Sequence, residues 1–207
     1  MMANQIDDKP SLPKEYMQLE YLESLPNPTY GRCVIDTGIN PSNTRVVMKA
    51  QGTVCNNSYM SPIGYYYDYV GCAIFCYKDT KGWALSSNSY TNIPYTDVVD
   101  IDVVFKIDPV NSAIGTINNV SVKSTRNASN VSTLKLFHCV GLLADYSNRN
   151  YGFIGKIFYC RIEDADSGTI LGEYIPALRK ADTKPGMYDL ISGQFFTNQG
   201  TGEFTYG

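Results

Sequence analysis

An all-β fold, built as a two-sheet sandwich or a barrel, is what this sequence predicts, and three observations carry that expectation. Short β-rich runs, about a dozen of them, recur between clusters of Gly, Asn, Asp and Pro. Helical periodicity is nearly absent, so nothing offers the apolar stripe by which a helix covers a sheet. The chain has 207 residues, 43% apolar and 18% charged, which is enough for one well-buried core. The expected organisation is a flexible N-terminal arm over residues 1–15, which either attaches to a neighbour or simply frays, and a single domain over residues 16–207.

Taken in order, residues 16–24 alternate Leu19 and Tyr21 against Gln18 and Glu20, as a strand with one wet face would, although the same spacing also fits a helix. Pro26 and Pro28 end that run, and residues 30–38 form a second extended piece that turns between Gly38 and Pro41. Residues 44–51 place Val46, Met48 and Ala50 on one face and Arg45, Lys49 and Gln51 on the other, the pattern of a sheet strand. Residues 63–69, 71–77 and 82–85 are short runs between polar turns and read as a β-meander. Residues 96–106 alternate after Asp100, with Ile101, Val103 and Phe105 inward and Asp100 and Asp102 outward. Asn118-Asn119 stands between two β-rich arms as a two-residue hairpin turn.

The polar residues 124–132 read as a surface loop, residues 134–140 resume the sheet, and residues 145–151 loop out again. Residues 153–162 form the longest β-rich stretch, apolar in part on both faces as a central strand is. A hairpin turn from Asp164 to Gly168 leads into residues 170–175, after which Pro176 is expected to stop the ladder. At the end, residues 187–191 and 194–197 are two short segments joined by Ser192-Gly193, with Gly200-Thr201-Gly202 closing a second turn. Glycine there allows positive φ and Asn198 tolerates it, so this is a tight meander that must pack on something larger.

The charge balance narrows the partners. A net charge of −3 with 17 Lys and Arg offers no basic face for phosphates, which argues against nucleic acid. Residues 1–10 lack the basic then apolar pattern of a secretory signal, and no run approaches the roughly 18 apolar residues of a membrane span. The expectation is a soluble chain, not exported by that route and not inserted in a membrane. The six cysteines include no C-x-x-C pair, so zinc spacing is missing and free thiols are expected, with a Cys72–Cys76 bridge as the alternative. No cofactor is expected.

Several stretches resemble one family. Leu19-Glu-Tyr-Leu-Glu-Ser24 and Val34-Ile-Asp-Thr-Gly-Ile39 look like the opening of the LamG-like, concanavalin A-like jelly-roll domains of phage and gut-bacterial surface proteins. Residues 153–162, Ile175-Pro-Ala-x-Arg179, Gly186-Met-Tyr-Asp189 and Gly200-Thr-Gly-x-Phe204 look like its close. The resemblance brackets the chain from about Leu19 to Phe204. It implies an all-β, two-sheet antiparallel jelly-roll sandwich, whose relatives bind glycans, bind proteins, hydrolyse polysaccharides or decorate a surface. It also implies placement on a phage virion surface after synthesis in the host cytoplasm, or on a bacterial cell surface by a signal-independent route. The partners implied are a surface glycan or other virion or surface proteins, with a homo-oligomer open.

The chemistry must then be read residue by residue. Glycosidase relatives of this fold carry carboxylates two apart on one strand, flanking the bond they cut. Asp100 and Asp102 share a face, but no glutamate accompanies them, and a solvated strand face is the expected role. Glu20 and Glu23 have opposite strand parity and do not converge. His138, the single histidine, lies in an apolar run and is expected to be packed and not catalytic. No catalytic residue is expected. LamG-like relatives often hold a rim calcium, for which Asp79, or Asp145 with Asn148 and Asn150, would supply hard oxygens; the same residues also suit turns, and no metal ligand is assigned. Sugar binding needs aromatic faces beside amides and carboxylates, because a pyranose has an apolar face and a polar edge. Tyr65, Tyr66, Tyr67, Tyr69, Trp83, Tyr90 and Tyr95, with Asn88 and Asn92 nearby, are that supply. The expected function is a non-catalytic adhesion module on a phage particle that binds cell-surface glycans. The alternatives are a capsid or tail decoration protein without its own ligand and, more distantly, a polysaccharide hydrolase.

Overall fold

The computed structural model describes residues 11–25, 33–53, 60–64, 73–76, 82–86, 89–106, 113–124, 133–137 and 153–207. Every regular element among them is a strand. The first half contributes β1 (Tyr16–Gln18), β2 (Leu22–Ser24), β3 (Ile35–Asp36), β4 (Thr44–Gly52), β5 (Ile63–Gly64), β6 (Ile74–Cys76), β7 (Trp83–Leu85) and β8 (Ser89–Tyr90). The second half contributes β9 (Val99–Phe105), β10 (Ala113–Ile117), β11 (Val120–Ser124), β12 (Lys135–Leu136), β13 (Gly155–Asp164), β14 (Ile170–Arg179), β15 (Lys184–Asp189), β16 (Phe195–Phe196) and β17 (Phe204–Tyr206).

One large antiparallel sheet runs in the order β11-β10-β9-β4-β13-β14-β15-β16. Its centre is where the alternating pattern is cleanest. In β4, Val46, Met48 and Ala50 are buried while Arg45, Val47 and Lys49 face out; in β9, Ile101, Val103 and Phe105 are buried opposite Asp100 and Asp102. The β10–β11 hairpin closes through Asn118 and Asn119, at φ 46° and 64°, the two left-handed positions of a type I′ turn that asparagine tolerates better than most residues.

The N-terminal run is two strands instead of one, and the pairing shows why. β13 pairs with β14 only over Cys160–Glu163, with a register shift at Ile162/Glu163. Beyond that the two strands diverge. β1 then pairs with β14 at Ala177–Arg179, and β2 pairs with β13 at Gly155–Ile157 and with β17 on its other side. The chain crosses the gap between β1 and β2 at Leu19, whose N–H donates to the Pro176 carbonyl at 3.0 Å. Leu22 is fully buried, which contributes roughly 1.5–3 kcal/mol.

Pro176 does not stop its strand, which continues to Arg179 with Pro176 opposite Met187. A residue's N–H and C=O point to the same edge of a strand, and Pro176's carbonyl points to Leu19. The missing N–H therefore falls at the break between β1 and β2, where no ladder bond is lost.

Two small sheets, β3-β12-β5 and β6-β7-β8, complete the fold. The expected meander over residues 63–85 is present in part: an antiparallel bridge joins Gly64 to Ala73 and β6 pairs with β7, while β5 forms its ladder with β12. Ile35, Ile63, Ile74, Trp83, Leu85 and Leu136 of these sheets share one apolar cluster with Val46, Met48, Ile101, Val103 and Ile157 of the large sheet. Phe153 joins the layers, its ring 6.5 Å from that of Trp83 and 6.0 Å from that of Phe137. Cys33, Cys76 and Cys160 are buried in this core, where cysteine acts as a small hydrophobe, and Cys160 is a free thiol.

The closing meander folds much as its glycines suggest, with Gly193 at φ 71° after Asp189 caps the turn through both carboxylate oxygens. Asn198 does something different from the expected left-handed turn. Its Oδ1 accepts from the Val34 N–H at 2.8 Å, while Gln199 donates its own N–H to Val34 and accepts from the Asp36 N–H through Oε1. Side-chain amides thus extend the edge of β3 where backbone would otherwise be unpaired.

Candidate functional site

The segment Ser89–Thr96 is the place where predicted site residues stand near the surface on a fixed backbone. It is held by the strand it crosses. The Trp83 N–H donates to the Ile93 carbonyl at 3.0 Å, and the Trp83 carbonyl accepts from both the Thr91 N–H and the Thr91 hydroxyl at 2.9 Å. Gly82, just before Trp83, has φ +59°, and a Cβ there would fall 1.8 Å from the Ile93 carbonyl oxygen. Glycine at this point permits the close approach of the two backbones.

The same segment is tied to the large sheet at three points. Gly52 donates its N–H to the Tyr95 carbonyl at 2.9 Å, Gln51 donates Nε2 to the Thr96 carbonyl at 2.7 Å, and the Lys123 N–H on β11 donates to the Ser89 hydroxyl at 3.0 Å. Between these anchors Tyr90 is half-buried against Ala73, Phe75 and Ala84, and Tyr95 is half-buried against the main core. Asn92 is exposed at φ 60°. The result is two partly exposed aromatic rings and an amide on one pinned stretch, with little ordering left to do on binding.

The other predicted residues divide sharply. Tyr65, Tyr66, Tyr67 and Tyr69 lie outside the described residues, as do His138 and the calcium candidates Asp79, Asp145, Asn148 and Asn150. Trp83 is a correction. It is 0% exposed, so its ring presents no face to a ligand. Its indole N–H, like the Ser86 hydroxyl, is buried with no hydrogen-bond partner among the described residues. Trp83 acts on the site as the buried anchor of Thr91 and Ile93.

Asp100 and Asp102 do face outward together, and the structure gives Asp102 a partner that spacing could not name. Arg45 Nε and Nη2 donate to the two Asp102 oxygens at 2.8 and 2.6 Å. That bidentate contact holds the Asp102 carboxyl below the usual carboxylate range and pushes the Arg45 guanidinium up. Arg45 also reaches Glu163 at 3.5 Å, and Arg161 Nε stands 2.7 Å from the other Glu163 oxygen. Tyr159 donates its hydroxyl to Glu173 at 2.8 Å. This ladder across β9, β4, β13 and β14 was not singled out in the sequence; opposite charges at outward positions of neighbouring strands were the available signal.

Among the described residues no group of three or more His, Cys, Asp and Glu is placed to hold a metal ion, and no helix is long and apolar enough to cross a membrane. No protein-family model matches the chain, and no curated protein matches it.

Proposed function

We propose that this chain is a non-catalytic adhesion module, a jelly-roll sandwich displayed on a phage particle, that contacts cell-surface glycans through Tyr90, Asn92 and Tyr95. The observation that carries this reading is the pinned segment Ser89–Thr96, which holds half-buried Tyr90 and Tyr95 and exposed Asn92 on one fixed stretch of backbone. A pyranose needs that combination, an apolar ring face to lie on and a polar group to meet its hydroxyls. The sandwich reading is supported by the single apolar cluster shared between the large sheet and the two small ones, and the phage setting by the resemblance of both chain ends to surface-display jelly rolls.

The test is a glycan array probed with the full chain and with Tyr90→Leu and Tyr95→Leu. Leucine keeps the packing against Ala84 or the core and removes the aromatic face. Binding to one glycan class that weakens severalfold in either variant, at unchanged melting temperature, is the expected result. A clean negative array at high protein concentration overturns the glycan reading.

A further inference from the structure

On the outer face of the large sheet a donor and an acceptor stand side by side without pairing to each other. Arg161 and Glu173 are directly opposite across β13 and β14, which sets their Cβ atoms about 5 Å apart. The ion pairs of the described residues nevertheless do not join them. Arg161 turns instead toward Glu163, and its Nε, though 2.7 Å away, approaches too obliquely to donate a hydrogen bond. Its two terminal nitrogens donate to no described residue. Glu173 receives the Tyr159 hydroxyl on Oε1 and has no described partner on Oε2. Burial and that carboxylate push the Tyr159 pKa up, so the phenol remains a donor and keeps Glu173 in place.

The surroundings select the kind of ligand. Arg45 and Arg161 stand among Asp102, Glu163 and Glu173, so carboxylates outnumber guanidiniums and a phosphate or sulfate meets net repulsion. Glu163 is already shared between the two arginines. What stays open is one fork of N–H donors next to one carboxylate acceptor, a match for neighbouring hydroxyls that both accept and donate. Val47, half-buried and directly opposite Arg161 on β4, borders the pair on the side away from Glu173.

We propose that this face carries a second binding site, in which Arg161 donates to and Glu173 accepts from adjacent hydroxyls of a neutral polyol, a hexopyranose unit lying across β13 and β14. The site adds a subsite to the proposed glycan contact and rests on the same ligand class, but it uses none of the residues of the Ser89–Thr96 segment.

The experiment is an amide NMR titration of the full chain with glucose, galactose, mannose and N-acetylglucosamine separately, and with glycine and inorganic phosphate as zwitterionic and anionic probes. Saturable shifts at Val47, Arg161 and Glu173 with at least one sugar are expected. Arg161→Lys, which keeps the charge but loses the fork, and Glu173→Gln should each weaken that binding roughly tenfold at unchanged melting temperature. The proposal is overturned if no sugar shifts these amides, if only glycine or phosphate does, or if two folded variants bind as the parent does. Shifts confined to Tyr90–Tyr95 overturn it while leaving the pinned segment standing; shifts confined to the sheet face support it and count against the segment.

Discussion

Replacing Gly82 by alanine tests whether the Tyr90–Tyr95 stretch is truly held by β7. Two costs combine at this position. Alanine at φ +59° must adopt the left-handed region, at about 1–2 kcal/mol. Its Cβ would also stand 1.8 Å from the Ile93 oxygen and 2.7 Å from the Ile93 carbonyl carbon, so the Ile93 peptide must retreat. That breaks the 3.0 Å bond from the Trp83 N–H, worth about 0.5–1.5 kcal/mol net, and orphans a buried donor. The reduced freedom of the unfolded chain offsets up to about 1 kcal/mol. The expected net loss is about 2–3 kcal/mol. Gly168 supplies the control, because it has φ +71° but nothing within 4 Å of a Cβ, so Gly168→Ala reports the backbone cost alone. Trp83 is the single tryptophan and fully buried, which makes its fluorescence in a urea titration a direct monitor of both variants. If Gly82→Ala loses no more stability than Gly168→Ala, the close approach to Ile93 is not there and the pinned segment loses its support.

Other outcomes follow from the packing and the charges. Tyr188, 6% exposed and with its ring 4.8 Å from that of Tyr16, should cost about 3–5 kcal/mol when truncated to alanine. Its effect on any ligand should appear only through lost folded protein, so a folded Tyr188→Ala protein that has stopped binding would relocate the site. The Arg45–Asp102 pair makes acid unfolding partly its own. Asp102 has a folded-state pKa below its ordinary 3.8, so its contribution is present above that value and is lost as the pH falls through the lower, folded value. Both side chains are about two-fifths exposed, at 43% and 41%, which limits the contribution to about 1 kcal/mol or less. Asp102→Asn should remove that increment at neutral pH and flatten the acid limb of the stability curve. A variant whose acid limb matches the parent's would show that solvent screens the pair completely.

The strands at the centre of the large sheet could be read from residue order alone, because a period of two in β4 and β9 is a local property that follows directly from side-chain alternation. The Asn118-Asn119 turn was legible for the same reason, since its φ requirement is met by the two residues themselves. The free state of Cys160 agreed with its apolar surroundings. Pairing partners were another matter. Nothing near Pro176 says that its bare edge meets the gap at Leu19, or that residues 16–24 enter the fork between β13 and β14, because these contacts join the two ends of the chain across most of its length. Trp83 shows the limit most plainly. Alternation tells that a residue has two faces to choose between, but only the arrival of Phe153 and the small sheets decided that its ring is core and that its backbone carries the tyrosines. The sequence by itself determined the all-β character, the Asn118-Asn119 turn and the inward faces of β4 and β9, all set by nearest neighbours. The tertiary structure decided which aromatics stay at the surface and which charges meet, because burial and ion pairing depend on atoms that distant segments bring together.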